Sequence, residues 1–151
     1  MFLSSMNIAV SGLTAERLRM DIISQNVANA DNVATTPEEA YKRQVVVFGE
    51  DKSFNNILRT KLGTGEIRHQ KFIRYNGVQV MQVIEDETPA EPVYDPTHPL
   101  ADEWGYVYES NVDIAAEQID IKEASNMYEA NLSVLEVIKQ MSQKALQIGK
   151  G

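Results

Sequence analysis

The chain has 151 residues, 43% of them apolar and 24% charged, with a formal charge of −8 and no cysteine. That length suits one domain with a core of ordinary size. The negative balance argues against a nucleic-acid backbone or an anionic lipid surface as the main partner. The lack of cysteine excludes a disulfide framework and any thiolate metal site.

The chain opens on a helical pattern from Phe2 to about Ala30. Met6, Leu13, Met20 and Val27 fall seven apart, and Ala9, Ile23 and Ala30 follow three residues after Met6, Met20 and Val27, with Glu16 breaking the second line. Gly12 costs such a helix about 1 kcal/mol relative to alanine. Close approach of another backbone and a tolerated glycine on an exposed face both remain open for it. The N-terminal MFLSSMNIAVSGL has no basic region, and Ser4, Ser5, Asn7 and Ser11 interrupt its apolar run, so a cleaved secretory signal is not expected. No run approaches the roughly 20 apolar residues of a membrane span. Asn26, Asn29, Asp31 and Asn32 are expected to end the helix, and Pro37 lies beyond it.

The run Tyr41 to Phe48 (YKRQVVVF) predicts a strand buried on both faces. Residues 49–60 fit a short helix or an irregular turn. Asn76-Gly77 predicts a two-residue hairpin turn, which puts Ile73, Tyr75, Val78 and Val80 on the core face and Arg74 and Gln79 on the other. His69 falls inside this hairpin, as a half-buried strand residue rather than a ligand. The segment 85–103 holds four of the five prolines in an acidic context and predicts a long loop. Gly105 to Tyr108 then reads as a short strand, and Ser110 to Asp113 has capping-box spacing.

The longest periodic stretch comes last, from about Asp113 to Gly149, with no proline and no internal glycine. Met127, Val134, Met141 and Ile148 fall seven apart, with Asn131, Ile138 and Ala145 between them. A second ladder of Ile114, Ile121, Tyr128 and Leu135, with Leu132 between, adjoins it. Two adjoining seams need neighbours on two sides, and the chain supplies one long partner helix. Asn131 within the seam fits a register-setting role or a hydrogen bond to a helix end.

The strongest catalytic candidate is Asp95-Pro-Thr-His98-Pro-Leu-Ala-Asp102, two carboxylates around a histidine. Such a loop could hold a metal or an acid/base pair. No spacing places a third strong ligand, no phosphate loop or nucleophile motif accompanies it, and Pro96 and Pro99 suit a rigid loop in which His98 packs or caps. The structural reading is preferred. The chain is therefore read as a non-enzyme, with no catalytic residue, cofactor or metal assigned.

These residues resemble the bacterial flagellar rod/hook axial protein family nearly end to end. The resemblance rests on SGLTAERLRMDIISQNVANADN (Ser11 to Asn32), YKRQVVVF, VYDPTHPLADEWGYVYESNVDI (Val93 to Ile114), ASNMYEANLSVLEVIKQM (Ala124 to Met141) and KALQIGK. The S-x-N-x-A-N element (Ser24 to Asn29) is general to rod and hook proteins, and the DPTHP…GYV…NVD block narrows the likeness to a proximal-rod branch. The linker DNVATTPEE departs from the family pattern in lacking glycine.

The resemblance implies a basal-body rod subunit, exported without a cleaved signal by the flagellar type III apparatus and assembled outside the inner membrane, in the periplasm of a two-membrane cell. Implied partners are copies of itself, the rod proteins FlgB, FlgF and FlgG, and the adaptor FliE. The expected fold is α+β: long terminal helices packed as a coiled-coil-like axial unit (1–36 and 111–151) around a small central antiparallel β unit (37–110). Candidate subunit-interface residues are Met6, Leu13, Met20, Ile23 and Val27 in the first helix. In the last helix they are Ile121, Met127, Tyr128, Asn131, Val134 and Leu135, followed by Ile138, Met141, Ala145 and Ile148. The competing reading is a self-contained binding module whose acidic loop captures a ligand.

Overall fold

Helices from the two ends of the chain pair with each other in a computed structural model that describes residues 2–50 and 77–149. Helix α1 spans Phe2–Ala28 and helix α2 spans Ile114–Ile148, about 40 and 52 Å long at 1.5 Å per residue. They run antiparallel, because Asn26 meets Glu117, Arg19 meets Glu123 and Gly12 meets Asn131. The fold is α+β, as expected.

The ends of both helices follow from local hydrogen bonding. Helix α1 is closed by Asn29, whose backbone N–H and side-chain amide both donate to the Gln25 carbonyl, at 3.2 and 2.7 Å. Asn32 then donates to Asn29 Oδ1 at 2.7 Å. Asn26, expected among the terminators, instead sits inside the last turn and is fully buried. Helix α2 is capped by Asp113, extended at φ −90° and ψ 107°, whose carboxylate accepts from the N–H groups of Ala115 and Ala116. The cap is thus Asp113 rather than Ser110, whose hydroxyl accepts from Val112 N–H.

Among the described residues five strands lie between the helices: β1 (Val33–Ala34), β2 (Gln44–Glu50), β3 (Val78–Glu85), β4 (Glu91–Tyr94) and β5 (Tyr106–Glu109). Antiparallel β2 and β3 form one sheet, and β1-β5-β4 form another with β5 central. Strand β2 begins at Gln44, and Gln44 to Gly49 are half-buried rather than buried on both faces. In β3, Val80 is half-buried as expected but Val78 is 41% exposed. The remainder of the expected hairpin, with Ile73, Arg74, Tyr75 and Asn76, lies outside the described residues, as do His69 and the stretch beyond Glu50.

The proline-rich segment 85–103 is not all loop, since β4 falls within it. Pro92 is compatible with a strand because β4, among the described residues, is an edge strand with one paired side. Strand β1 lies in the linker and pairs Val33 with Glu109 and Ala34 with Tyr108.

Candidate assembly surface

Small side chains let the helices approach. Ala9, Ala15 and Ala124 are buried at the helix pair, with Ile23 beside them, and Gly12 lies under Asn131. The residues of α2 that turn inward are Glu117, Ile121, Ala124, Tyr128, Asn131, Leu135 and Ile138. This alternating line draws on both ladders read from the sequence, so the division of faces differs from that expectation. Met6, Leu13 and Met20 of α1 are half-buried, and Val27 is 38% exposed.

The rest of the α2 candidates face outward. Met127 and Val134 are each 50% exposed, Met141 55% and Ile148 81%, and Ala145 is exposed. Val137, which the ladders had omitted, joins them at 54%. Together with Ala130 they form a stripe at three- and four-residue spacing that no described part of the chain covers. Contiguous exposed apolar surface of this kind marks an interaction site. No described helix is long and apolar enough to cross a membrane.

A polar junction fastens the strands to the helices. Asn26 and Glu117 are both 0% exposed. The Asn26 amide donates to the Gln44 carbonyl at 2.8 Å and to Glu117 Oε2 at 3.1 Å. Its carbonyl oxygen accepts from Gln44 N–H at 2.9 Å and from the Tyr41 hydroxyl at 3.0 Å. All four of its hydrogen-bonding positions are used. Arg43 Nε donates to Glu117 Oε1 at 2.5 Å, and its Nη2 to Asp120 Oδ2 at 2.8 Å. Arg43 N–H donates to Asn111 Oδ1 at 2.7 Å, and the Asn111 amide donates to the carbonyls of Asp86 and Thr88. One buried knot therefore joins α1, β2, α2 and the chain after β3.

The electrostatics follow from this geometry. Burial alone would lower the Arg43 pKa, but its hydrogen bond and charge contact with Glu117, helped by Asp120 and Asp86, leave it raised. Burial raises the Tyr41 pKa, and Glu117 and Glu85 add to the rise. Farther along the pair, Arg19 reaches Glu123 at 3.3 Å and Asp120 at 3.5 Å. Glu16 is less well served: its Oε2 is buried without a hydrogen-bond donor among the described residues, 4.0 Å from Arg19. Burial pushes its carboxyl up, against Arg19 and with help from Glu123.

The loop 95–105 spends its polar groups on itself. Asp95 Oδ1 accepts from the Thr97 N–H and hydroxyl at 3.0 and 2.7 Å, which lowers its pKa. His98 Nδ1 accepts from Leu100 N–H at 3.2 Å. Asp102 Oδ1 accepts from the N–H groups of Trp104 and Tyr106. His98 thus caps its own turn, as the bracketing prolines suggested. Gly105 closes the loop at φ +82°, a conformation that favours glycine, and a Cβ there would come within 3.1 Å of Pro96 and Tyr94. The loop displays Trp104, 76% exposed, beside an edge-to-face pair of Tyr94 and Tyr106 with centroids 5.3 Å apart.

Sequence reasoning missed the junction. Asn26 was visible inside the S-x-N-x-A-N element, but nothing in the sequence tied it to Glu117 or Arg43.

Comparison with known proteins matches both helices to flagellar families. Residues 6–34 match the model of the flagella basal body rod protein, and residues 104–148 that of the flagellar basal body rod FlgEFG protein C-terminal region. Across the whole chain, the similarity to the basal-body rod protein FlgC of Bacillus subtilis is 38% identity, covering 97% of each chain. The chain belongs to the FlgC family of flagellar basal-body rod proteins. Other members include FlgC of Salmonella typhimurium, 36% identical over 98% of each chain, and FlgC of Borreliella burgdorferi, 34% identical over 98% of this chain and 97% of that one. The two regions matched by family models cover most of α1 and all of α2, and each contributes one of the two fully buried polar residues of the junction, Asn26 and Glu117.

Proposed function

We propose that this protein is a structural subunit of the bacterial flagellar basal-body rod, in its proximal part, and that it assembles through its terminal helices into the shaft that transmits torque. The observation that carries this reading is the uncovered apolar stripe of α2 from Met127 to Ile148, in a chain that belongs to a rod-protein family. A lone subunit leaves that stripe in water, and burial between subunits removes it.

On this reading residues 1–36 and 111–151 form the inner axial unit, and residues 37–110 form a β-rich unit facing outward. The junction of Asn26, Arg43 and Glu117 holds the outer unit at a fixed angle to the axis. The neighbours are further copies, FlgB, FlgF, FlgG and FliE, and the flagellar type III apparatus exports the chain beyond the inner membrane. Its N-terminal segment is retained, since Ala9 and Ala15 are buried and Gly12 lies against Asn131, contacts that loss of the segment would remove. The role is mechanical rather than catalytic. The ligand-capturing alternative is weakened by the loop, where Asp95 and Asp102 already serve their own backbone.

Deleting the encoding gene in a flagellated host tests this reading. Cells should lose motility and complete rods, and regain both with the intact gene. Normal basal bodies in the deletion strain would overturn it.

A further inference from the structure

Each helix carries one seam, part exposed and part half-buried, with a single charge in it, and the two charges are opposite. On α1 the seam runs Met6, Val10, Leu13, Arg17, Met20 and Ser24, at spacings of four and three. Arg17 is its one charged member, is exposed, and forms no ion pair among the described residues. On α2 the seam includes Ala116, Ile119, Glu123, Met127, Ala130 and Val134, and Glu123 is its one charged member. Glu123 keeps a side chain 55% exposed beyond its contact with Arg19. Ile119 is 71% exposed and Val10 45%.

Helical rotation of about 100° per residue sets the α1 seam roughly 100° from the face packed on α2, and the α2 seam about as far round in the opposite sense. In an antiparallel pair those offsets put the two seams on opposite sides. Self-pairing of either seam would set like charges together or close a two-fold dimer, whereas one seam against the other makes a heterologous contact that repeats without closing on two copies.

We infer that the α1 seam of one copy packs on the α2 seam of a second copy, with Arg17 paired to Glu123 across the contact. This rests on the rod reading and names the neighbour that covers the first part of the stripe, Met127 to Val134. Copies that share one polarity bring α1 antiparallel to the neighbouring α2. With Arg17 opposite Glu123, Val10 then falls opposite Ala130, Leu13 opposite Met127, and Met6 opposite Val134. Within one chain Gly12 lies opposite Asn131, so the inferred register differs from the internal one by three residues. Successive copies are therefore displaced along the helix axis by about 4.5 Å.

The absence of cysteine makes the test direct. Cells should express the chain carrying Val10→Cys and Ala130→Cys together, and basal bodies should be oxidised mildly and separated without reductant. The expected result is dimers and higher multimers of this chain that collapse on reduction, with neither single variant giving multimers. Adding Arg17→Glu should abolish the multimers. If the double variant does not support motility, Leu13→Cys with Met127→Cys replaces it. Motile cells that yield only monomer, or a crosslink to a different protein, would overturn the inference and leave the rod reading standing. Motility that persists when the gene is deleted would remove the rod reading itself.

Discussion

Asn131 of α2 rests its carboxamide on the bare backbone of Gly12 in α1, so closely that a Cβ at Gly12 would lie 2.9 Å from Nδ2 and 3.2 Å from Cγ. The two residues explain each other. A glycine that weakens an isolated helix is the place where a polar side chain can enter the seam without spreading the helices.

Gly12→Ala sets two effects against each other: about 1 kcal/mol of helix propensity gained against about 1–3 kcal/mol for overpacking a close contact. The expected outcome is a less stable subunit in chemical denaturation followed by circular dichroism. In an Asn131→Ala background the same change should stabilise. Equal effects in both backgrounds would show that the contact carries no energy. Gly12→Leu should separate the helices outright.

Asn26 and Glu117 make the second prediction. Asn26→Ala strands the Tyr41 hydroxyl, both backbone groups of Gln44 and one Glu117 oxygen, at about 1–3 kcal/mol for each buried group left unpaired. Asn26→Asp should be worse, because it turns a donor toward Glu117 into a second carboxylate. Arg43→Met leaves Glu117 buried without its cation, a loss of about 3–5 kcal/mol. Thermal melts of purified subunits should rank wild type above Asn26→Ala, and Asn26→Ala above Asn26→Asp.

Both terminal helices were legible in the sequence because seven-residue spacing survives in Met6, Leu13, Met20 and Val27 and again in Met127, Val134 and Met141. Which faces pack together was not legible. The packed line mixes Ile121, Tyr128 and Leu135 of one ladder with Asn131 and Ile138 of the other, and it adds Gly12, Ala124 and Glu117, which neither ladder contained. Strand β4 was hidden by Pro92, which argues against a strand unless the edge position is known. Strand β1 has two residues, too few for any alternation to register. The loop role of His98 was legible because Pro96 and Pro99 fix the backbone on both sides.

Glu16 makes the third prediction. Its carboxyl is raised chiefly by burial, so the folded state binds its proton more tightly than the unfolded chain does. Its contribution to stability is fully present below the unfolded value of 4.5 and is lost as pH rises through the raised folded value. Glu16→Gln should therefore stabilise the subunit at pH 7, and the advantage should shrink as pH falls toward 4.5. Asp86 and Asp95, held low by Thr88 and Thr97, act in the opposite direction but cancel in the comparison of the two proteins. An advantage that grows on acidification would show that Glu16 is stabilised as a carboxylate.

The exposed stripe makes the last prediction. Leu135 and Ile138 face α1, so aspartate at either position should damage the subunit itself. Val134 and Met141 face outward at 50% and 55% exposure. Val134→Asp and Met141→Asp should leave the circular dichroism spectrum and melting of the purified subunit within error of wild type. In a rod each introduces a charge into a buried apolar seam, at a cost of several kcal/mol per contact. The decisive measurement is electron microscopy of basal bodies from cells carrying Val134→Asp as the sole copy, alongside soft-agar motility. Absent rods and no swarming with a folded subunit are the predicted result; complete rods and wild-type swarming would contradict the assembly surface.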